Sequence, residues 1–398
     1  RMARAVARPR FLPLPLERAI QLLEAAVIAF IVIRGLQWSL RDGKGLLDWG
    51  SFVASGRATR DGLNPYGVYD LTFRVGPSAA AAPNLNPPVS MYPLAWIAPF
   101  DPELTYRLWY LASLAMVMVS FLLLWRAYPR ERTVTALWAF ALAGLWHTLE
   151  LGQVYAPLLL AATLAWLRLR DRDDWLAGIA VGCMAALKPQ FLAWPALLLL
   201  SRNWRSAGAA GATFTVLWGI PLVLQGPEVY RQWFDVTPPI AQANTLAGNS
   251  SLLAVGGRLG FDAAALAVTV LAGLALAGLV ALRRPGRLEV SAAALIFALL
   301  AGPITWPGYT LVLLPVLFWA GWRSLLPAVV LLAFPYEAVL QLSATGGQSV
   351  RFLGESVYFF AVLLLSFLLL TTALESRAPG LIPGRRNAAA PLPLPASE

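Results

Sequence analysis

An all-α fold is what this sequence predicts: a polytopic membrane protein built as a bundle of about twelve transmembrane helices with a long outer first loop. Three observations predict it. Apolar runs long enough for helices recur from Leu16 to Leu370, and a helix needs about 20 apolar residues to cross ~30 Å of hydrocarbon. Only 13% of the 398 residues are charged, against 58% hydrophobic and a mean hydropathy of +0.63; a soluble domain carries roughly 25% charged residues. The basic residues, finally, gather in short clusters between the apolar runs. Inside lipid the backbone must satisfy its own hydrogen bonds, and barrel-type alternation is absent, so the runs are read as helices.

Taken in order, the first crossing is expected at 17–38 and is read as retained, since no small-residue cleavage pattern follows it. An outer segment, about 39–103, comes next. Within it Val89–Phe100 is apolar but has only twelve residues and carries Pro93 and Pro99, so it is read as an interfacial helix. Crossings are then expected at 104–125, 133–149, 154–168, 175–187, 190–200 and 207–224. A second outer segment spans about 225–262, followed by crossings at 263–282, 290–302, 309–321, 325–341 and 354–373. The Pro- and Ala-rich tail, 378–398, is expected to be disordered cytoplasmic chain.

Charge orients the bundle. With the N-terminus in the cytoplasm, alternation puts 20 of the 31 basic residues inside and 10 outside, with Arg34 inside the first span. That asymmetry follows the positive-inside rule and places both termini in the cytoplasm. It also explains the net charge of +10 without nucleic acid. The one cysteine, Cys183, lies in an apolar run; it is read as a packing residue, with no disulfide framework and no thiol metal site.

Oriented this way, the unusual polar residues share the outer face. They are Asp48, Asn64-Pro65-Tyr66, Glu150 with Gln153, Lys188-Pro189, Asn249-Ser250-Ser251 and Trp306-Pro307-Gly308-Tyr309. Long outer loops in a compact protein tend to carry function, so these residues mark a candidate site.

The set resembles the GT-C-fold glycosyltransferases, and most of all glycosyltransferase family 87, the polyprenol-phosphate-mannose-dependent α-mannosyltransferases. The resemblance rests on Asp48-Trp49 with Gly62-Leu63-Asn64-Pro65-Tyr66, Tyr92-Pro93, Gly152-Gln153-Val154, Gly178 through Lys188-Pro189, Gly248-Asn249-Ser250-Ser251 and Ile304-Thr305-Trp306. It covers roughly residues 20–345, within one transmembrane domain of 1–377. It implies an integral protein of a bacterial plasma membrane, a polyprenyl-phosphate sugar as donor, and a glycolipid or glycan acceptor reached from outside. Mannose is the first-choice sugar. No cofactor and no metal is implied, and a single displacement would invert the anomeric centre.

Such a reaction needs a carboxylate to take the acceptor proton and cations or donors to hold the departing phosphate. Phosphate leaves without prior protonation, so one carboxylate can suffice where glycosidases use two. The resemblance makes Asp48 the base; the plain alternative is an interfacial carboxylate paired with Arg41 or Lys44. Lys188, between apolar helices, is read as a phosphate ligand or as a snorkelling lysine. Gln153 and Asn249 are read as donor-binding or as interhelical glue. Glu150 either contacts substrate or faces water. Asn64 and Tyr66 contact substrate or shape a turn, and Trp306 and Tyr309 stack on a sugar or simply mark the interface. His147, the only histidine, is read first as a helix-end residue and second as a site residue.

Many relatives carry a histidine where this chain has Gly308. Asp171-Arg172-Asp173 resembles a metal-binding D-x-D, but in a short inside loop it is read as solvated helix-end charge. Two rival functions are weighed. A lipid-linked-sugar flippase or transporter would keep polar groups near the midplane, and an O-antigen-ligase-like enzyme would carry its large loop late in the chain.

Overall fold

The computed structural model describes residues 14–40, 46–69, 83–237 and 246–377; among these every regular element is a helix and no strand is present. Expectations for the N-terminal basic residues, for Arg41 and Lys44 and for the tail from Ala378 lie outside the described residues.

The helices are α1 (Leu14–Ser39), α2 (Leu46–Arg60), α3 (Met91–Ile97), α4 (Pro102–Ala127), α5 (Ala143–Leu151) and α6 (Tyr155–Asp171). They continue as α7 (Asp174–Leu187), α8 (Ala193–Leu200), α9 (Trp204–Gln225), α10 (Glu228–Val236), α11 (Leu252–Arg258) and α12 (Asp262–Arg283). The last six are α13 (Arg287–Ala301), α14 (Leu314–Ala320), α15 (Trp322–Leu332), α16 (Tyr336–Thr345), α17 (Gln348–Glu355) and α18 (Val357–Arg377). Three 3-10 segments, Val134–Phe140, Pro189–Leu192 and Pro307–Leu313, lead into α5, α8 and α14.

Each of the twelve predicted apolar runs is helical, but twelve full crossings are not reached. Five helical stretches are long and apolar enough to span: Leu16–Ser39, Pro102–Ala127, Val134–Leu151, Trp204–Gln225 and Asp262–Arg283. Counting two bent pairs makes seven: Trp322–Leu332 with Tyr336–Thr345 (46°), and Gln348–Glu355 with Val357–Thr371 (57°). The other runs are short. α7, with 14 residues, covers about 21 Å at 1.5 Å per residue, and Pro189 ends it. Short helices are tolerated here because protein surrounds them: Ala177, Val181, Met184 and Ala185 of α7 are all completely buried.

α6 runs through the core, with Leu158, Leu159, Ala162 and Trp166 fully buried. α7 lies against α9 because Gly178 and Gly182 have no side chain: a Cβ would sit 2.4 Å from the Ser206 carbonyl oxygen at one and 2.6 Å from that of Ala210 at the other. This is small-residue packing of the kind membrane helices use. α1 and α12 instead turn apolar side chains outward, among them Leu22, Leu23, Phe30, Leu271, Leu274 and Leu282.

α2 was not foreseen in the first outer segment, and Asp48 therefore stands in the first turn of a helix, not in a loop. The small residues Gly50, Ser51, Ala54, Ser55 and Gly56 blur its apolar pattern. They permit close approach: a Cβ on Gly56 would meet the Leu94 carbonyl at 2.5 Å. α3 lies within the apolar stretch 89–100, and its Trp96 is 83% exposed.

The basic loops meet at one end of the bundle. Arg170 donates to the Ala127 carbonyl at 3.2 Å, Arg287 pairs with Asp174, and Glu131 accepts from the Trp322 amide at 3.0 Å. Asp171 pairs with Arg170, and Asp173 caps α7 through the Leu176 amide. These are helix-end roles, as read for the D-x-D lookalike. Tyr155 and Arg172 bracket α6, so the opposite end lies about 25 Å away.

Candidate active site

Three chain breaks assemble the site. The first follows α5. Gly152 takes the left-handed conformation, φ 66°, and the Gln153 amide reaches back to the Thr148 carbonyl at 3.0 Å. A Cβ on Gly152 would also sit 2.9 Å from Trp49 Cβ. Only glycine meets both demands, and the turn delivers Gln153 beside α2. There Gln153 Nε2 donates to Asp48 Oδ2. Trp49 secures the carboxylate's helix by stacking on Trp109, centroids 5.1 Å apart, and donating to Thr105 Oγ1 at 3.2 Å.

The second break ends α7. Pro189 has no N–H and disfavours helical geometry in its predecessor, and Lys188 is extended, φ −145° and ψ 96°. Its ammonium stands 5.7 Å from the Tyr155 ring centre and 5.3 Å from that of Tyr309. Both rings are buried, and at such distances a desolvated cation is attracted to aromatic faces. Lys188 contributes a positive charge felt at Asp48, and among the described residues no ion pair joins the two. Burial raises the Asp48 carboxyl to about 6, partly offset by the Gln153 hydrogen bond and the Lys188 charge. A carboxylate titrating there is ionised at neutral pH and still basic enough to take a proton.

The third break is 302–306, ahead of the buried 3-10 segment Pro307–Leu313 that carries Tyr309. Gly308 lies under Tyr155: a Cβ would fall 2.1 Å from its ring. The space beside Gly308 is thus filled by an aromatic ring. Tyr155 was not singled out in the sequence; its signal was its position, two residues after Gln153 and at the start of a helix.

The other predicted residues divide. Trp306 stacks on His147 with centroids 6.4 Å apart, and His147 meets Tyr336 edge-on at 4.8 Å. His147 is buried, and its Nδ1 has no hydrogen-bond partner among the described residues. Glu150 is buried and accepts from Trp38 Nε1 at 2.5 Å, which ties α1 to α5. Glu150, His147, Trp38, Arg34 and Tyr336 line a small cavity of about 40 Å³ next to the Asp48 cluster, and Tyr336 lies within electrostatic reach of both carboxylates. Tyr336 is a second residue that the sequence reading passed over.

Asn249, Asn64 and Tyr66 serve the framework. Asn249 is fully buried: Nδ2 donates to the Pro303 carbonyl at 3.2 Å, and Oδ1 accepts from the amides of Thr305 (2.9 Å) and Ser251 (3.2 Å). It joins the segment before α11 to the third break. Asn64 Oδ1 accepts from the Tyr66 amide at 2.9 Å, an Asx turn. Tyr66 is buried against Met91, Val229 and Trp233 and donates to the Asn86 carbonyl at 2.9 Å. Burial pushes its phenol well above the usual range.

Two further cations, Arg34 and Arg258, are held in ion pairs. Arg34 pairs with Glu337 at 3.6 Å. Arg258 is buried against Glu355 at 3.5 Å and donates to Ser356 Oγ and to the carbonyls of Leu246 and Asn249; burial lowers its guanidinium to about 10.

A helical membrane bundle with a basic carboxylate, and an ammonium unpaired among the described residues, at one set of chain breaks is suited to group transfer, and comparison with known families defines the class as membrane glycosyltransferase. The model of glycosyltransferase family 87 matches residues 84–307, more than half of the chain, and the chain belongs to that family. It is 25% identical over 333 residues, 77% of each chain, to the polyprenol-phosphate-mannose-dependent alpha-(1-2)-phosphatidylinositol pentamannoside mannosyltransferase of Mycolicibacterium smegmatis. The family match includes Gln153, Lys188, Asn249 and Trp306; Asp48 precedes it.

Proposed function

We propose that this protein transfers mannose from a polyprenyl-phosphate donor to a hydroxyl of a glycolipid or glycan acceptor at the outer face of the membrane. Asp48 is the general base and Lys188 the cation for the donor phosphate. The observation that carries this reading is that the two charges share one site without neutralising each other. Gln153 orients the carboxylate, and the Tyr155 and Tyr309 rings hold the ammonium without using its N–H donors. The donor sugar comes from the name of the mycolicibacterial relative.

In this mechanism the acceptor oxygen attacks the anomeric carbon while Asp48 takes its proton, and the bond from that carbon to the phosphate oxygen breaks. The phosphate departs with the electron pair, its growing charge met by Lys188. One displacement inverts the anomeric centre, and with an ammonium facing the leaving group no metal is required. Asn249 and Arg258 position the third break, and Glu150 anchors α1. Both termini lie in the cytoplasm, a placement supported by the basic loops at the end away from Asp48.

Incubating the purified protein with radiolabelled polyprenyl-phosphate mannose, or the glucose analogue, and a membrane glycolipid extract tests the reading. Labelled glycolipid should form from the mannose donor, and Asp48→Asn should lower turnover by roughly 10²–10⁴-fold. Near wild-type turnover by Asp48→Asn would dismiss it as base; transfer from the glucose donor alone would dismiss mannose.

A further inference from the structure

At the basic end, away from Asp48, a cleft of about 500 Å³ opens between the ends of α6, α8 and α13, within the range of about 300–1,000 Å³ typical of small-molecule sites. Three arginines stand at its rim or next to residues that line it, and all three have left-handed backbones: Arg172 (φ 64°), Arg202 (φ 66°) and Arg284 (φ 46°). Among the described residues they are the only non-glycine residues with positive φ. Arg172 and Arg202 each close a helix by paired bonds to the preceding turn, Asp173 N to Arg168 O with Arg172 N to Leu169 O, and Asn203 N to Leu198 O with Arg202 N to Leu199 O. That position strongly favours glycine. A non-glycine residue there strains the backbone, and strain of this kind collects at functional positions.

Their side chains differ from those of their neighbours. Arg168, Arg170 and Arg287 pair with Asp173, Asp171 and Asp174. Arg172, Arg202 and Arg284 make no ion pair or side-chain hydrogen bond with the described residues, and all three are exposed. Thus the paired arginines close the fold, while Arg172 lines the cleft without a partner among the described residues, and Arg202 and Arg284 stand next in sequence to the lining residues Ser201, Asn203 and Pro285. Arg284 also ends α12, whose Leu271, Leu274, Leu279 and Leu282 face outward. An arginine at the end of a lipid-facing helix stands at headgroup depth, where basic pockets attract anionic lipids.

We propose that this cleft binds the phosphate headgroup of an anionic membrane lipid, with Arg172, Arg202 and Arg284 as its cations. Guanidinium matches phosphate oxygens in geometry as well as charge. The plain alternative is that each arginine only complements the negative end of its helix. The two readings separate cleanly, because glycine at these positions relieves the backbone while removing the charge.

The full-length protein in phosphatidylcholine nanodiscs is titrated with phosphatidylglycerol, in parallel with the triple variant Arg172→Gly/Arg202→Gly/Arg284→Gly and the corresponding triple lysine variant. The wild type should bind phosphatidylglycerol at least tenfold more tightly than phosphatidylcholine. The glycine variant should lose that preference with an unchanged or higher melting temperature, and the lysine variant should keep part of it. Should the glycine variant misfold, the comparison of wild type with Arg172→Gln/Arg202→Gln/Arg284→Gln decides in the same way. No preference in the wild type, or the same preference in the charge-free variants, overturns the proposal. Displacement of the lipid by millimolar inorganic phosphate overturns its lipid part, since the site would then be one for the free anion.

Discussion

In the proposed mechanism Asp48 and Lys188 act through their charge, so the pH dependence of turnover is where their arrangement can be read. With the carboxyl near 6, kcat/KM should fall on the acid side with an apparent pKa near that value, as protonation removes the base. Both Gln153 and Lys188 favour the ionised form. Gln153→Leu and Lys188→Met should therefore each move this limb to higher pH, Lys188→Met also raising the donor KM. A pH–rate profile unmoved by both would detach them from the carboxylate. Stability has its own sign. The folded carboxyl lies above its usual 3.8, so its protonated form is favoured in the folded state. That stabilising contribution is complete below 3.8 and is lost as pH rises through about 6. Asp48→Asn should therefore melt no lower than wild type at pH 7 while losing turnover, a pairing that thermal denaturation beside the transfer assay would check.

Between elements, the contact that matters most for the site is that of α7 with α9, because α7 carries Lys188 at its end. Gly178→Leu would drive a side chain into the Ser206 carbonyl. Overpacking alone costs about 1–3 kcal/mol, and here the obstacle is backbone rather than a rotatable side chain. The variant should show a lower melting temperature and a raised donor KM. Gly208→Leu is the control: it lies on α9, but a Cβ there meets nothing within 4 Å, so it should be nearly silent in both measurements. Equal behaviour of the two variants would mean that the helices do not depend on this approach.

For the whole molecule the issue is which end faces out. Two charge systems lie at opposite ends of the bundle, the Asp48–Lys188 cluster at one and the arginine-rich loops at the other. If the basic end is cytoplasmic, a cysteine at Thr237, in a Cys183→Ser background, should react with an impermeant thiol reagent in intact cells. One at Arg323 should react only after lysis. The reverse pattern would move the site to the cytoplasmic face and exclude an extracytoplasmic acceptor.

Composition and the spacing of apolar runs were enough to read an all-helical membrane protein, because in lipid only the period and length of apolar segments decide where helices form. The order of motifs was also enough for the family, and among the candidates it offered, the fold brings Asp48, Gln153, Lys188 and Tyr309 near one another. Which residues touch was not legible. Asn249 and Glu150 look like substrate ligands in the sequence, yet the fold spends Asn249 on three backbone groups and Glu150 on the Trp38 indole. Tyr155 looks like any interfacial aromatic until Gly308 is found beneath its ring. The number of true crossings was likewise decided by packing, since a helix of only fourteen residues can be a short buried helix only when neighbours replace lipid around it. A hydrophobic pattern reports the solvent a segment prefers; only the tertiary structure supplies the partner that satisfies each polar group, and with it the division between framework and site.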